Sequence, residues 1–517
     1  MAEIRGLGIS ASAVPMQLLF DVKYHPDGSL DKYKVREVVQ GHKGYMRRGE
    51  HFFNTFSASP SCRTTRLLQA LTIGTKLVRH AWDICTAYLW AEVRPDERIP
   101  IRYPKDLRRY DPETKEELYA ILKKNCYGMP QADRRYTQLR NEFILEEFNK
   151  GGWKCSKSRQ DPCLFIFTSP KGKRSFVIIH TDDCDGHGEL LGDLKYIANK
   201  FHERFKIKVC DPRFMLGIQR DITTEKGITR MNMTQADFIK TTYLTFKDHC
   251  PTRDIHTPFP PGMVLHGLLE EHDEEKSKEL IKRGYQSLAG SILWAARNCY
   301  PEVSLGANMV CRLMSRPTEL AWKCALHTLK YLYSQMHRGI QFRSDGNPQP
   351  ICYYDASNKA DPCDGKSQYG YVIYLYNGPI VWSSKKHNHV GLSSTHNEYM
   401  SLSQASKDVE WIRQILIEIG YPLKKQSATP MLGDNDNATL YAREDLITPG
   451  NKFIIQDYHY AKECVERGIT CPRRVDTKAN ISDILTKSVA RPIHDKLSPL
   501  LCGLGEILDR PPDPPKD

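Results

Sequence analysis

The feature of this sequence that most constrains its fold is an apolar run that ends in two adjacent aspartates. Residues 175–188 read SFVIIHTDDCDGHG, and a second apolar run, CLFIFT, precedes them. The two runs predict β-strands joined by a turn at Pro170-Lys171-Gly172, with Asp182 and Asp183 at a hairpin end. Adjacent carboxylates beside a buried strand repel each other and lose hydration, so they need a compensating cation. The alternative is an exposed turn whose aspartates cap backbone amides.

A third carboxylate lies on a separate apolar segment. HAWDICTAYL, residues 80–89, is rich in β-branched and aromatic residues and carries Asp83. Three carboxylates where two strands meet could hold two Mg²⁺ ions about 3.5–4 Å apart, which activates a 3′-hydroxyl and stabilises a pyrophosphate leaving group. A zinc site made of His180, Cys184 and His187 is the competing interpretation, although it lacks a second pair of ligands.

Length and composition restrict the class of protein. A chain of 517 residues is too long for one core and should divide into three or four domains. Its 40% hydrophobic and 26% charged residues are typical of a soluble globular protein, and no apolar segment is long enough to cross a bilayer. The 16 cysteines form no Cys-x-x-Cys pair, which favours reduced thiols in an intracellular protein. A net charge of +12 suggests a polyanionic partner.

Periodicity predicts how the chain is organised. A β-hairpin is predicted around the turn His25-Pro26-Asp27-Gly28, and the segment 230–340 has mainly helical spacing. Several consecutive strands are predicted after Pro350, followed by a long helix. The tail DRPPDPPKD has the composition of a disordered segment.

Many blocks of the sequence resemble, in order, those of copia-type long-terminal-repeat retrotransposon Pol polyproteins. The blocks VREVVQG, DICTAYL, CYGMPQA, HTDD and FMLGIQ resemble the family's reverse transcriptase blocks. YQSLAGSILWAARNCYPEV and VWSSKKHNHVGLSSTHNEYMSL resemble blocks that follow them. The resemblance implies a multidomain α+β and α/β fold: a right-hand polymerase with fingers, palm and helical thumb, followed by a ribonuclease H-like domain.

The resemblance also implies domain boundaries. Fingers and palm would occupy residues 14–220, a mainly helical thumb and connection 221–345, and the ribonuclease H-like domain 346–497, before a disordered tail at 505–517.

Polymerase site residues can be assigned by their match to the family blocks. Asp83, Asp182 and Asp183 match the catalytic, metal-binding carboxylates. Nucleotide-binding roles fall on Lys34, Arg36, Tyr88 and Gln131, where Tyr88 matches the aromatic residue that excludes a 2′-hydroxyl. The primer-grip positions are Phe214, Leu216 and Gly217. Ordinary core or hairpin packing is the alternative for Tyr88 and for the primer-grip residues.

A second acidic set matches the ribonuclease H pattern. Its members are Asp355 on a strand, Glu398 on a helix, Asp434 at a strand end and Asp483 on a helix, all catalytic and metal-binding in the resemblance. DNDNA and ISDILTK resemble the family's blocks around the last two acids. Helix capping is the alternative role for Asp434 and Asp483.

The implied function is an RNA-directed DNA polymerase with ribonuclease H activity, with Mg²⁺ or alternatively Mn²⁺ as cofactor. Its partners would be an RNA template, a DNA primer, an RNA–DNA hybrid and deoxynucleoside triphosphates, without a membrane. Localisation would be intracellular, in a cytoplasmic particle or the nucleus. His180 and CDGHG depart from the family pattern around the aspartate pair, and Phe453 and Ile455 replace a family histidine and acid. A catalytically impaired remnant that only binds nucleic acid is therefore the alternative.

Overall fold

The computed structural model describes most of the chain. The described residues are 6, 12–24, 29–42, 44–263, 273–358, 364–391, 393–423, 427–443 and 455–507. The predicted turn at 25–28, residues 508–517 of the predicted tail, and Phe453 lie outside the described residues.

The chain forms two compact units that alternate along the sequence. The first unit comprises Met1–Pro60 and His80–Cys210, and the second comprises Ser61–Arg79 and Asp211–Asp517. The predicted division into three domains, with boundaries at 220 and 345, and a tail stays a prediction.

The strands are numbered in chain order. They are β1 Val14–Tyr24, β2 Leu30–Val39, β3 Val78–Ile84, β4 Pro100–Arg102, β5 Tyr119–Ile121, β6 Lys154–Lys157, β7 Leu164–Thr168, β8 Arg174–His180, β9 Asp183–Gly188, β10 Ile207–Cys210, β11 Phe214–Met215, β12 Ile218–Glu225, β13 Ile228–Thr234, β14 Ile340–Arg343, β15 Ile351–Ala356, β16 Gln368–Leu375, β17 Gly378–Lys386, β18 Thr429–Gly433 and β19 Thr470–Arg474.

The α-helices are numbered likewise. They are α1 Cys62–Gly74, α2 Ala132–Glu147, α3 Leu191–Phe205, α4 Ala236–Phe246, α5 Glu274–Lys282, α6 Tyr285–Asn298, α7 Ser304–Cys311, α8 Glu319–Ser334, α9 Ser394–Glu418, α10 Asp436–Arg443, α11 Ile455–Glu466 and α12 Arg491–Leu501. None of the helices in the described part of the chain is long and apolar enough to span a bilayer.

Two sheets form the framework of the first unit. A six-stranded sheet has the order β10-β3-β9-β8-β7-β6, and a four-stranded sheet has the order β2-β1-β4-β5. The six-stranded sheet and helices α2 and α3 enclose an aromatic core that includes Trp82, Phe148 and Phe201. The β7–β8 hairpin and the β1–β2 hairpin are both confirmed as antiparallel pairs.

The second unit contains a five-stranded mixed sheet. Its order is β17-β16-β15-β18-β19, in which β15, β16 and β17 pair antiparallel and β18 and β19 are added in parallel. Helix α9 packs on β15 and β16. The predicted consecutive strands and long helix after Pro350 are thereby confirmed. The same unit also contains a second sheet, β11-β12-β13-β14, and helices α1, α4–α8 and α10–α12.

Helix α1 belongs to the second unit although it precedes β3 of the first in sequence. It packs against β17, β14 and β13. The buried guanidinium of Arg66 donates from Nε to the Ile380 carbonyl (2.9 Å) and lies 3.9 Å over the Trp382 ring. The extent of the predicted fingers-and-palm region, 14–220, stays a prediction.

Candidate active sites

Two elements of the first unit bring the polymerase aspartates near each other. Asp83 lies on β3, and Asp182 lies in the turn between β8 and β9, where Thr181 has a positive φ of 54°. The Ile84 amide donates to the Asp182 carbonyl at 3.0 Å and ties the turn to β3. Asp183 begins β9 and pairs with His180. The predicted hairpin end is confirmed, whereas β3 ends at Ile84 rather than continuing to Leu89.

Helix α2 supports this turn through two residues that sequence reasoning missed. The buried Arg140 donates to the Thr181 carbonyl at 3.0 Å, and the Thr181 hydroxyl donates to Asp133 at 3.3 Å. These contacts constrain the aspartate turn from the side of the helix. No motif marked either residue, because both lie in an ordinary amphipathic helix.

The aspartates are coupled electrostatically. Burial, followed by the charge of Asp182, raises the pKa of Asp83, which the charges of Lys34 and Lys208 partly offset. Burial, then the charges of Asp182 and Asp83, raise the pKa of Asp183 to about 6. Burial and the neighbouring negative charges thus disfavour the ionised carboxylates, and a bound cation would relieve both effects.

The carboxylate oxygens of these three aspartates do not converge as closely as those of a ligand group. Among the described residues, they are not part of any group of carboxylate, histidine or cysteine ligands within 4.8 Å of one another. The same holds for the alternative zinc set. Cys184 and His187 are fully buried in β9, and His187 Nε2 lies 3.2 Å from Asp185 Oδ2. The zinc interpretation is therefore wrong for the described geometry.

The nucleotide-binding candidates differ in their exposure. Lys34 and Arg36 lie two residues apart on β2 and therefore on the same face of the strand. Arg36 lies 3.7 Å from Asp21. Tyr88 lies in a 3₁₀ turn, half-buried, 5.2 Å from the ring of Tyr127, and burial is the main cause that raises its pKa to about 12.

Gln131 is fully buried at the start of α2. Its amide donates to the His51 carbonyl at 3.4 Å, and its Oε1 has no partner among the described residues. A contact between Gln131 and a nucleotide stays a prediction.

The primer-grip candidates belong to the second unit. Phe214 is 45% exposed on β11, and Leu216 and Gly217 form the two-residue turn into β12. Both turn residues have positive φ, 51° and 74°, as a type I′ hairpin turn requires. A leucine in this region is unusual, because its Cβ approaches the backbone closely. Their predicted role stays a prediction.

Three carboxylates of the second predicted acidic set converge at one end of the mixed sheet. Asp355 lies on β15, Glu398 on the second turn of α9, and Asp434 directly after β18. Ligand oxygens of these three residues lie within 4.8 Å of one another. The Ala356 amide donates to Glu398 Oε1 at 3.1 Å, whereas Glu398 Oε2 is buried and has no hydrogen-bond partner among the described residues. Three carboxylates and an orphaned oxygen fit a hard divalent cation such as Mg²⁺.

Burial and mutual repulsion shift the ionisation of this group. Burial, then the charge of Asp355, raise the pKa of Glu398 to about 10. Burial also raises the pKa of Asp355, although Lys487 and a hydrogen bond from Thr486 oppose the shift. Burial and mutual repulsion thus disfavour the ionised carboxylates, and a bound cation would relieve both effects.

Asp483 lies in a short 3₁₀ turn, Ile481–Leu485, and not in the predicted helix. Thr486 donates to Asp355 Oδ2, and Lys487 Nζ lies 2.5 Å from Asp483 Oδ1 and 3.6 Å from Asp355 Oδ2. Burial lowers the pKa of Lys487, but the charges of Asp355 and Asp483 outweigh it and the net shift is upward. Sequence reasoning missed Thr486 and Lys487, although the spacing of four between Asp483 and Lys487 is the available signal.

Comparison with known proteins identifies the family of the chain. A family model described as reverse transcriptase (RNA-dependent DNA polymerase) matches residues 7–251. Over 490 residues, 93% of the chain, the sequence is 28% identical to the retrovirus-related Pol polyprotein from transposon RE2 of Arabidopsis thaliana. It is 31% identical over 336 residues to a putative transposon Ty5-1 protein of Saccharomyces cerevisiae, and it covers 100% of that protein. The chain belongs to the copia-type retrotransposon Pol family.

This copia-type chain spans about a third of the RE2 polyprotein, 31% of its length. A solved ribonuclease H1 isolated from compost by a metagenomic approach is 16% identical, with a TM-score of 0.22, and the match covers 27% of this chain and 93% of the other. The resemblance drawn from the sequence blocks is thus confirmed, and the chain carries a reverse transcriptase domain. The catalytic roles of individual residues and the right-hand arrangement stay predictions.

Proposed function

We propose that this chain is an RNA-directed DNA polymerase with an associated ribonuclease H, which copies retrotransposon RNA into DNA and degrades the RNA of the hybrid. The observation that carries the proposal is the convergence of Asp355, Glu398 and Asp434 around a buried, unpartnered carboxylate oxygen. Such an arrangement is costly for a protein unless a cation occupies it. Membership of the Pol family and the coupled aspartates of the first unit support the polymerase half.

Mg²⁺ is the proposed cofactor, with Mn²⁺ as an alternative. Asp355, Glu398 and Asp434 would hold it in the ribonuclease H site, with Asp483 beside them, and Asp83, Asp182 and Asp183 would hold it in the polymerase site. When bound, divalent ions activate the attacking hydroxyl or water and neutralise charge on the phosphate.

The chain's own residues would position the substrates. In the polymerase site, Lys34 and Arg36 would pair with the triphosphate and Tyr88 would exclude a ribose 2′-hydroxyl. In the ribonuclease H site, the Ala356 amide fixes the orientation of Glu398.

The proposal extends to partners, domains and location. An RNA template, a DNA primer, the RNA–DNA hybrid and deoxynucleoside triphosphates are the proposed substrates. We also propose the division into fingers and palm, thumb, and ribonuclease H-like domain, at 14–220, 221–345 and 346–497. The proposed location is a cytoplasmic particle or the nucleus.

Reciprocal substitutions test the two halves. Asp182→Asn should abolish Mg²⁺-dependent primer extension and leave hybrid cleavage intact, because the acidic sets belong to separate units. Glu398→Gln should do the reverse, lowering hybrid cleavage by orders of magnitude while extension persists. Each variant is the folding control for the other, and both assays use the same RNA–DNA primer-template.

Parent activity decides between the proposal and the remnant. A parent chain that binds primer-template but neither extends nor cleaves it would contradict the proposal and favour the remnant that only binds nucleic acid. Unchanged cleavage by Glu398→Gln would refute the assignment of the ribonuclease H site.

A further inference from the structure

Lys487 is placed among the carboxylates of the second acidic set, and no role has so far been given to it. Its ammonium lies 2.5 Å from Asp483 Oδ1 and 3.6 Å from Asp355 Oδ2. Asp483 is not a member of the group of ligands within 4.8 Å that Asp355 forms with Glu398 and Asp434 in the described part of the chain. Asp355, Glu398 and Asp434 therefore form one group of ligands, and Asp483 lies outside it. The lysine contacts Asp483 and the Asp355 member of the group.

The lysine is held there by the backbone on both sides. The amides of Thr486 and Lys487 both donate to the Asp483 carbonyl at 3.1 Å, so the turn folds Lys487 back toward the acid. On the other side, the Ser488 carbonyl accepts from the Gly262 amide at 3.1 Å, and the Ser488 hydroxyl donates to the Met263 carbonyl at 3.1 Å. These contacts fix the backbone from which the Lys487 side chain extends toward the acids.

The position of the ammonium is one that a second metal ion would need. Two-metal sites place their ions about 3.5–4 Å apart and share one carboxylate between them. Asp355 contacts Lys487 through Oδ2 and also belongs to the ligand group, so this one carboxylate is available to both positions. An ammonium is a compact point charge with three donors, so it can satisfy two carboxylates as a cation does.

We propose that Lys487 is a built-in cation of this site, a positioning residue that occupies the place between Asp355 and Asp483. One divalent ion would then bind tightly, among Asp355, Glu398 and Asp434, and a second would bind only by displacing the lysine. The inference rests on the proposed ribonuclease H function and specifies how its site is charged.

The number of metal ions bound by the 517-residue chain tests the inference without an activity measurement. Mn²⁺ binding is followed by the electron paramagnetic resonance signal of the free ion, and the ions lost on Asp355→Asn are assigned to this site. The parent should bind one such ion tightly. Lys487→Met should bind two, with the second at least about tenfold tighter than in the parent, because a positive charge at this distance opposes it strongly.

Three further variants separate charge from packing. Lys487→Gln lacks the charge but can still donate to Asp483, so it should behave as Lys487→Met does and remains informative if the methionine variant folds poorly. Lys487→Arg keeps the charge and should bind like the parent. Lys462→Met removes a lysine from another i,i+4 pair, 3.8 Å from Glu466, and should change nothing.

Thermal unfolding in EDTA gives an independent readout. Lys487→Met and Lys487→Gln should unfold at a lower temperature than the parent, and Mn²⁺ should restore their stability more than it stabilises the parent. If both variants bind the same Asp355-dependent ions as the parent with the same affinity, the inference is overturned while the ribonuclease H assignment stands. If the parent binds no Asp355-dependent ion and cleaves no hybrid, the proposed function fails, and the inference with it.

Discussion

Replacing Arg66 should loosen the second unit as a whole, because this one side chain joins three of its elements. Arg66 is 4% exposed, and its guanidinium donates to the carbonyls of Ile380 on β17 (2.9 Å) and of Arg297 at the end of α6 (2.6 Å). A longer contact of 3.5 Å reaches the Asn298 carbonyl. Burial lowers the pKa of Arg66 to about 10, so the side chain is still charged at pH 7.

The cost of Arg66→Met can be worked from these contacts. Methionine recovers the desolvation cost of the charge and keeps an apolar contact with Trp382, but three carbonyls lose their donor. At about 1 kcal/mol for each unsatisfied carbonyl, the variant should lose about 3 kcal/mol. For a domain of this size, about 2 °C per kcal/mol gives a decrease in Tm of about 6 °C.

Scanning calorimetry and hydrogen exchange measure the effect. The transition of the second unit should move down, and amides of α1 should exchange faster. Arg66→Lys should lie between Met and the parent, because an ammonium cannot reproduce the planar fork of donors. Arg283→Met, which removes an exposed i,i+4 pair with Glu279, is the matched control and should have no measurable effect. A shift below about 1 °C for Arg66→Met would refute the reasoning, because it would mean that the three carbonyls find other donors.

The remaining predictions concern the polymerase residues. Tyr88→Val should raise the incorporation of ribonucleotides relative to deoxyribonucleotides in single-nucleotide extension, because the smaller side chain leaves room for a 2′-hydroxyl. Tyr127→Val removes the neighbouring ring and is the control. If the parent and both variants discriminate equally, Tyr88 is a core residue. Asp183 has a pKa of about 6 in the folded chain against 3.8 as its ordinary value. The folded state therefore binds the proton more tightly, and the stability of the metal-free chain should fall as pH rises from about 4 to about 6 and then level off. Urea unfolding in EDTA should show a shallower fall for Asp183→Asn, and an identical pH profile would contradict the assigned shift.

The sequence predicted those strands whose residues both favour a β-strand and are apolar enough to be buried. Strands β7, β8, β15 and β16 are apolar runs bounded by turn residues, so their existence could be predicted, and Asp182 and Asp355 were placed correctly at or near strand ends. Strand β9 could not be predicted from its residues, DCDGHG. It is stable as a strand because Asp185 and His187 pair in the interior and because Gly186 lets the backbone approach Trp82, where a Cβ would lie 3.1 Å from the ring. Tertiary contacts here override composition.

The residues of the candidate sites also differ in whether the sequence alone could identify them. The carboxylates could be found because metal chemistry restricts the residue type at each position. Arg140 and Thr486 could not, because their roles depend on which backbone carbonyl or carboxylate lies opposite in the folded chain; for Lys487, the spacing of four from Asp483 was the one signal available. Gln131 shows the converse, since a residue that matches a family block is fully buried here.

The passage of α1 from one unit to the other has a consequence for synthesis of the protein. Arg66 leaves the ribosome 314 residues before its partner Ile380. At roughly 5–20 residues per second, the helix waits about 15–60 s for the strand on which it packs. A helix of 13 residues is marginal by itself, so its apolar face is exposed to chaperones and proteases throughout this interval. A copy of the gene with an early stop codon before β17 would therefore yield a product whose α1 lacks that partner strand from the start.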